Sequence, residues 1–187
     1  MRAIYISILT LLITAGCSTM TLEEKESKRA EIDEMADKAI AGLIEQDESI
    51  KTKLDESLAY AVANMKLTKV PIVGAGGGEG VFVDRETQQR IYFNVTRLDI
   101  GGGWGARSFK VLLLFNTEEM VARMEKKNNW EFQAGAEASA GTVSAEGSSS
   151  DLNTGFTMHV LSDGGASATV TARVIRVQVN SALTEDH

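Results

Sequence analysis

Two glycine clusters, each running into a β-branched or aromatic stretch, constrain this chain more than any other feature. The first holds Gly74, Gly76 to Gly78 and Gly80 and leads into Val81-Phe82-Val83. The second holds Gly101 to Gly103 and Gly105 and leads into the run from Ser108 to Phe115. Glycine in strand-like surroundings costs backbone entropy and marks bulges, sharp bends or close backbone approach. The pattern predicts a strongly coiled antiparallel sheet with glycine at its corners. A phosphate-binding turn is the competing use of such clusters, but it needs G-x-G-x-x-G opening a helix, or G-x-x-x-x-G-K-[ST]. Counted from Gly74, the third position of the first fingerprint is Glu79, a strand-like run follows, and the second motif is absent. The sequence therefore argues against a nucleotide site.

Upstream of the glycines, Thr21-x-x-Glu24 forms a capping box that starts a helix. Ile32, Met35, Ala36, Ala39, Ile40, Leu43 and Ile44 fall on one helical face. A break is expected near Gln46-Asp47, after which Ile50, Leu54, Leu58, Ala61, Val62 and Met65 continue the helical period. Two helices, or one bent helix, are expected to pack on the sheet. Strands are expected near Ile72 to Gly76, Gly80 to Asp84, Arg90 to Leu98 and Gly105 to Phe115, with Arg85 to Gln89 a polar turn. Leu112 to Phe115 is continuously apolar and predicts a central strand buried on both faces. Thr117 then caps a short helix, with Glu118 and Glu119 in its first turn, Lys126 and Lys127 in its last, and Met120, Val121 and Met124 buried.

Trp130 to Gly141 reads as a strand at a sheet edge, and Ser144 to Asn153 as a mobile hairpin loop. Phe156 to Leu161 and Ala166 to Val179 are further strands, joined by Asp163-Gly164-Gly165 as a hairpin. Ala182 to His187 reads as a frayed tail. The expected class is α+β: a strongly coiled antiparallel β-sheet or barrel-like sandwich, with an N-terminal helical segment and one short helix packed on it. The length of 187 residues fits one domain with appendages, and 43 % hydrophobic residues supply an ordinary core. Aromatic residues are only 6 % against 17 glycines, which favours small-residue β architecture.

Several motifs in this region resemble the SYLF lipid-binding domain. They are Gly-x-Gly-x-Gly-Val (Gly76 to Val81), Tyr92-Phe93-Asn94-Val95, Ile100-Gly101-Gly102-Gly103 and the Ser108-Phe109-Lys110-Val111-Leu112-Leu113-Leu114-Phe115 run. Thr117-Glu118-Glu119, the Trp130-Glu131 step and Gly135-Ala136-Glu137-Ala138-Ser139 follow in the same order. The likeness spans roughly Ser57 to Asn180. It implies a β-rich domain over 57–180, a strand already at Leu58 to Asn64, and lipid binding as the function. Eukaryotic relatives bind phosphoinositides and in some cases actin; for an exported bacterial chain only anionic lipid recognition carries over.

The N-terminus reads as an export signal. In Met1 to Cys17 one basic residue precedes an apolar run of about a dozen residues and then small residues, too short for a spanning helix. Ala15-Gly16-Cys17 resembles a bacterial lipobox whose cysteine is acylated, with Thr14 departing from the usual leucine. Cys17 is the sole cysteine, so no internal disulfide is available, and acylation accounts for an otherwise exposed thiol. Ser18 at the following position resembles the sorting signal for the outer membrane. The expected organisation is a lipoprotein signal peptide over 1–17, an acidic helical segment over 18–56, the β-rich domain over 57–180 and a tail over 181–187. The expected location is the periplasmic face of a bacterial outer membrane, with the anchor at Cys17.

Charge and motif content narrow the function. The net charge of −7 is concentrated between Thr21 and Glu56, where twelve acids face six bases. The later part is near neutral, with fourteen acids against twelve bases. Nucleic acid needs a basic face and is not an expected partner. The acidic polar side of the helices also disfavours their lying on a membrane, where Lys and Arg are preferred. Of the two histidines, His187 lies on the tail and His159 in an expected strand, where a structural role is the simpler reading. No zinc spacing, G-x-S-x-G elbow or calcium loop is present, so no catalytic residue, metal or cofactor is expected. Binding remains: Lys66, Lys69, Arg97, Trp104, Arg107, Lys110, Lys126 and Lys127 are the candidates for an anionic lipid headgroup, with Trp104 read as exposed among glycines. The other reading is an envelope protein–protein interaction module that uses the acidic helices or a sheet edge.

Overall fold

The computed structural model describes residues 20–100, 103–126, 129–142 and 156–184; for 69, 103–104, 129–142 and 162–174 the backbone alone is described. The elements follow as α1 (Leu22–Gln46), α2 (Ser49–Glu56), β1 (Ala59–Lys69), β2 (Val73–Asp84), β3 (Arg90–Ile100), β4 (Gly103–Phe115), α3 (Glu118–Lys126), β5 (Asn129–Thr142) and β6 (Phe156–Val179). The class is α+β, with one six-stranded antiparallel sheet in the order β3-β2-β1-β4-β6-β5. The expected signal segment and the Ser144–Asn153 loop lie outside the described residues.

The helical start is as the sequence predicts. Thr21 Oγ1 accepts from the Glu24 amide at 3.2 Å, and the Thr21 amide donates to Glu24 Oε2 at 2.7 Å. These bonds from Thr21 hold the Glu24 carboxyl below its usual range. Ile32, Ala36, Ala39 and Leu43, one to two turns apart, are all buried. They meet Val62, Val81, Val83, Tyr92, Leu112 and Leu114 on one face of the sheet. Arg90 and Tyr92 fix the helix laterally, donating to the two carboxylate oxygens of Asp33 at 2.7 and 3.1 Å. The Leu43 carbonyl accepts from the Asp47 amide at 2.9 Å, which closes α1 at the expected break.

Helical periodicity does not continue as far as Met65. α2 stops at Glu56, Arg85 Nη1 donates to the Leu54 carbonyl at 2.7 Å, and the chain enters β1. Alternation prevails because Ala59, Ala61, Met65 and Leu67 pack on one face while Val62 packs on the other. The two strands expected on either side of the first glycine cluster are one strand, β2, with the glycines inside it. The pairing of β1 with β2 needs them. A Cβ at Gly78 would meet the Asn64 carbonyl oxygen and lie 2.7 Å from Met65 Sδ; one at Gly80 would meet the Val62 carbonyl oxygen and the Phe93 ring. Met65, Leu67 and Phe93 occupy the space that side chains at Gly76, Gly78 and Gly80 would take.

β4 carries the continuous apolar run in an internal position, and it is buried on both faces as expected: Leu112 and Leu114 face α1, while Phe115 joins the opposite cluster with Phe82, Phe93 and Phe109. α3 lays Val121 and Met124 on that second cluster. β6 pairs with β4 from Phe115↔Phe156 to Gly103↔Thr169, and with β3 from Ile100↔Ala172 to Phe93↔Val179. The two pairings share one register, so β3 and β4 run along the same side of β6. Asp163-Gly164-Gly165 makes no hairpin. Register passes from Arg107↔Gly165 to Phe109↔Ser162, so β6 uses three steps against two and the glycines accommodate a bulge. The expected tail is also partly packed: Leu183 is buried, and its carbonyl accepts from Arg29 Nε at 2.7 Å.

Gly78→Ala should lower the unfolding free energy by about 2–3 kcal/mol, because the new methyl must displace backbone. Gly77→Ala, whose Cβ would find only the Val95 carbonyl at 3.4 Å, should stay within about 1 kcal/mol of the unsubstituted chain. Denaturant titration of the two variants measures the difference.

Candidate functional site

Strand alternation sorts the sequence-predicted basic residues onto different faces rather than into one patch. Lys66 and Lys110 lie on the α1 side of the sheet, with Lys66 opposite Ser108 and Lys110 opposite Asn64. Lys66 is exposed and Lys110 partly buried. Lys126 is exposed at the end of α3. Lys69 ends β1 opposite Gly74 and Gly105, and Trp104 stands opposite Ala168; the side chains of both lie outside the described residues, as does Lys127. The expectation that Trp104 is exposed is therefore not one these residues address.

Arg97 and Arg107 converge on the opposite, inner face. Arg97 is buried and forms a fork with Asp99, itself 1 % exposed: Nε donates to Oδ1 at 2.7 Å and Nη2 to Oδ2 at 2.8 Å. Such two-point pairing is the strong form of a carboxylate–guanidinium contact. Arg107 is partly exposed, yet its Nε is sealed from solvent and has no hydrogen-bond partner. Both guanidiniums stand by the Phe109 ring, at 5.9 Å for Arg97 and 5.4 Å for Arg107. Burial pulls the Arg107 guanidinium below its usual range, and the Arg97 charge pulls it further. In the sheet order β3 and β4 are separated by two strands, about 14 Å across. Their arginines nevertheless share one ring.

The second feature is an apolar end. β1 and β2 are joined across residues 70–72, with the Val70 amide donating to the Val73 carbonyl at 3.0 Å. Val70 (59 % exposed), Ile72 (70 %) and Val73 (45 %) stand there in solvent. Leu98 (45 %) and Ile100 (58 %) continue the surface, since Val73 pairs with Ile100 and Ala75 with Leu98. Five exposed branched side chains in one corner are more than the scattered apolar residues of an ordinary surface. This end lies at the far end of β1 from Ala59, which pairs with Phe115 just before α3.

Sequence reasoning singled out the arginines but missed Asp99, Phe109 and the apolar end. Arg97-x-Asp99 and Arg107-x-Phe109 each place two side chains on one strand face, and that spacing was the available signal. Val70-Pro71-Ile72-Val73 was the other, because a polar turn is the norm.

Elsewhere, His159 is buried with Nε2 unpartnered, and burial, followed by the charge of Lys53, holds its imidazole below the usual range. Glu125 is pushed up by burial and by its bond with Asp84. Among the described residues no group of three or more His, Cys, Asp and Glu could hold a metal ion, and no helix is long and apolar enough to cross a membrane. No family model matches the chain, and no curated protein matches it.

The depressed His159 means that protonation favours the unfolded chain. Its contribution to stability is present above the ordinary value of 6.5 and is lost as pH falls through and below it. Unfolding free energy should fall between about pH 7.5 and 5.5, and His159→Gln should flatten that slope. Denaturant midpoints across this range measure it.

Proposed function

We propose that this protein is an exported lipoprotein with a SYLF-like domain that binds membrane lipid, without catalytic chemistry of its own. The observation that carries the reading is the apolar end formed by Val70, Ile72, Val73, Leu98 and Ile100, with Lys66 exposed on the neighbouring strand. Branched side chains at a hairpin tip gain by leaving water, and a nearby lysine favours an anionic headgroup. The expected acyl chains at Cys17 would hold the domain at a bilayer, on the periplasmic face of an outer membrane, where the tip is required to act only over short range. Anionic phospholipids such as phosphatidylglycerol or cardiolipin are the lipid class that fits.

The proposal extends to the sheet. The β3–β6 pairing and the shared register of β3 and β4 along β6 support a barrel-like coil in which Met65, Leu67 and Phe93 fill the space over the glycines of β2. A second reading, an envelope interaction module, draws on the position of β5 at the end of the sheet order, where among the described residues no further strand pairs with it.

Vesicle co-sedimentation separates the two. The chain without its first 17 residues should partition onto phosphatidylglycerol vesicles more than onto phosphatidylcholine, more strongly at low salt. Ile72→Asp, at a site 70 % exposed, should reduce partitioning about tenfold or more while leaving the unfolding midpoint unchanged. Absence of vesicle binding, with capture of an envelope protein that survives Ile72→Asp, would establish the interaction module instead.

A further inference from the structure

The way α1 lies on the sheet carries an inference about how the molecule sits on its membrane; it rests on the lipid-binding reading above. Lys28 Nζ donates to Glu79 of β2 at 2.8 Å, and the Arg29 guanidinium stands 5.9 Å over the Tyr92 ring of β3. Toward the other end of the helix, a Cβ at Gly42 would lie 3.0 Å from Leu161 of β6. Glu79, Asn64, Lys110 and Leu161 stand on one register line across β2, β1, β4 and β6. α1 therefore crosses the strands instead of following them, and its start lies on the β2–β3 side. Lys53 of α2 lies at the opposite side, where its charge acts on His159 of β6.

Strand alternation places the apolar residues on that same face and side. Tyr92 packs toward α1, so Thr96, Leu98 and Ile100 follow it on the α1 side of β3. Val73 and Ala75 stand beside Ile100 and Leu98 on β2, and all five of these strand residues are exposed. Leu22, 78 % exposed, adds an apolar side chain at the helix start. From Asn94, the register partner of Glu79, to Leu98 is about 13 Å along β3. The helix runs about 9 Å from Lys28 back to Leu22, and the residues from there to Cys17 can span about 17 Å more. An acyl group on Cys17 thus reaches the level of Leu98 with α1 and every strand pair in place. Glu23 and Glu24 in the first turn oppose an anionic surface, so the attraction at the helix start is apolar, from acyl chains and Leu22.

We propose that the membrane-docking surface is the β2–β3 corner of the α1 face, continuous with the β1–β2 connection, and that it engages the same leaflet that holds the Cys17 anchor. Leu22 and the patch of Val73, Leu98 and Ile100 touch one bilayer, with α2 and the Phe156–Leu161 part of β6 turned away from it. The short tether makes patch binding intramolecular, so that modest apolar contacts fix the orientation.

The test uses the acylated chain in vesicles of phosphatidylglycerol and phosphatidylcholine, with a fluorophore on T96C or on K53C. Brominated lipid is placed either in the anchoring vesicles or in separate vesicles added afterwards. Quenching at residue 96 should be at least about threefold stronger with bromine in the anchoring vesicles, and residue 53 should stay bright in both arms. Leu98→Asp combined with Ile100→Asp should bring quenching at 96 down to the level at 53, with an unchanged unfolding midpoint as the check on folding. Should that variant fail to fold, the comparison of the two arms on the parent chain decides alone. Quenching at 96 from the added vesicles alone would place anchor and patch on different membranes and overturn the proposal. Equal quenching at 53 and 96 would overturn it too, because the molecule would then have no fixed side toward the bilayer. If 96 stays bright in both arms, co-sedimentation of the chain without its first 17 residues separates the failures. Binding there overturns the shared-leaflet docking alone, and no binding overturns the lipid reading with it. Mass spectrometry that finds Cys17 bare overturns the anchor and the shared leaflet together, and leaves vesicle binding by the domain to its own test.

Discussion

The structure depends on how closely β1 and β2 approach each other at Gly76, Gly78 and Gly80. Carbonyl oxygens of Val62, Asn64 and Lys66 occupy the positions where side chains on β2 would begin. Omitting those side chains lets Met65 and Leu67 from β1 and Phe93 from β3 lie over the bare backbone of β2. The glycines lose entropy on folding, and the packing of large neighbours offsets it. β3 also pairs with β6, from Ile100↔Ala172 to Phe93↔Val179, in addition to its place beside β2.

The two faces of the sheet carry different residues. The outer face is covered by α1, whose small residues Ala36 and Ala39 let the helix sit low on Val62, Val81 and Leu112. Polar pairs at the helix flanks, Lys28 with Glu79 at 2.8 Å and Arg90 with Asp33 at 2.7 Å, set its position more than its stability, because such partly exposed pairs contribute little. The inner face is apolar toward the α3 end and charged toward the other, where Arg97, Asp99 and Arg107 gather at one aromatic ring. Beyond them the branched side chains of the β1–β2 connection face water. A covered, stable end and an exposed, apolar and locally basic end give the molecule a direction.

Much of this was legible where a local rule and the tertiary structure agree. The Thr21–Glu24 box, the break after Gln46 and the apolar run from Leu112 to Phe115 each follow from one rule that nothing else opposes. Leu58, Ala61, Val62 and Met65 fit both a helical and an alternating pattern, since alanines at 59, 61 and 63 blur the contrast between strand faces; pairing with β2 and β4 decided for the strand. Asp163-Gly164-Gly165 has the chemistry of a turn, but its long-range partner β4 needs one extra residue there, and the same glycines provide it. The basic candidates could be named but not grouped, because grouping depends on strand parity and curl. Asp99 and Phe109 were invisible for the same reason. Leu183 illustrates a further limit, as a terminal residue is packed only because Arg29 and Tyr92 lie where Leu183 and Thr184 can reach them.

Under the proposed membrane binding, the β1–β2 connection meets the bilayer and α3, at the other end of β1, stays clear of it. Depth-dependent quenching by brominated phosphatidylglycerol tests this directly, with one fluorophore at residue 72 and, in a separate preparation, at residue 126. The account predicts strong quenching at 72 and none at 126. Equal quenching at the two positions, or quenching at 126 alone, would contradict it.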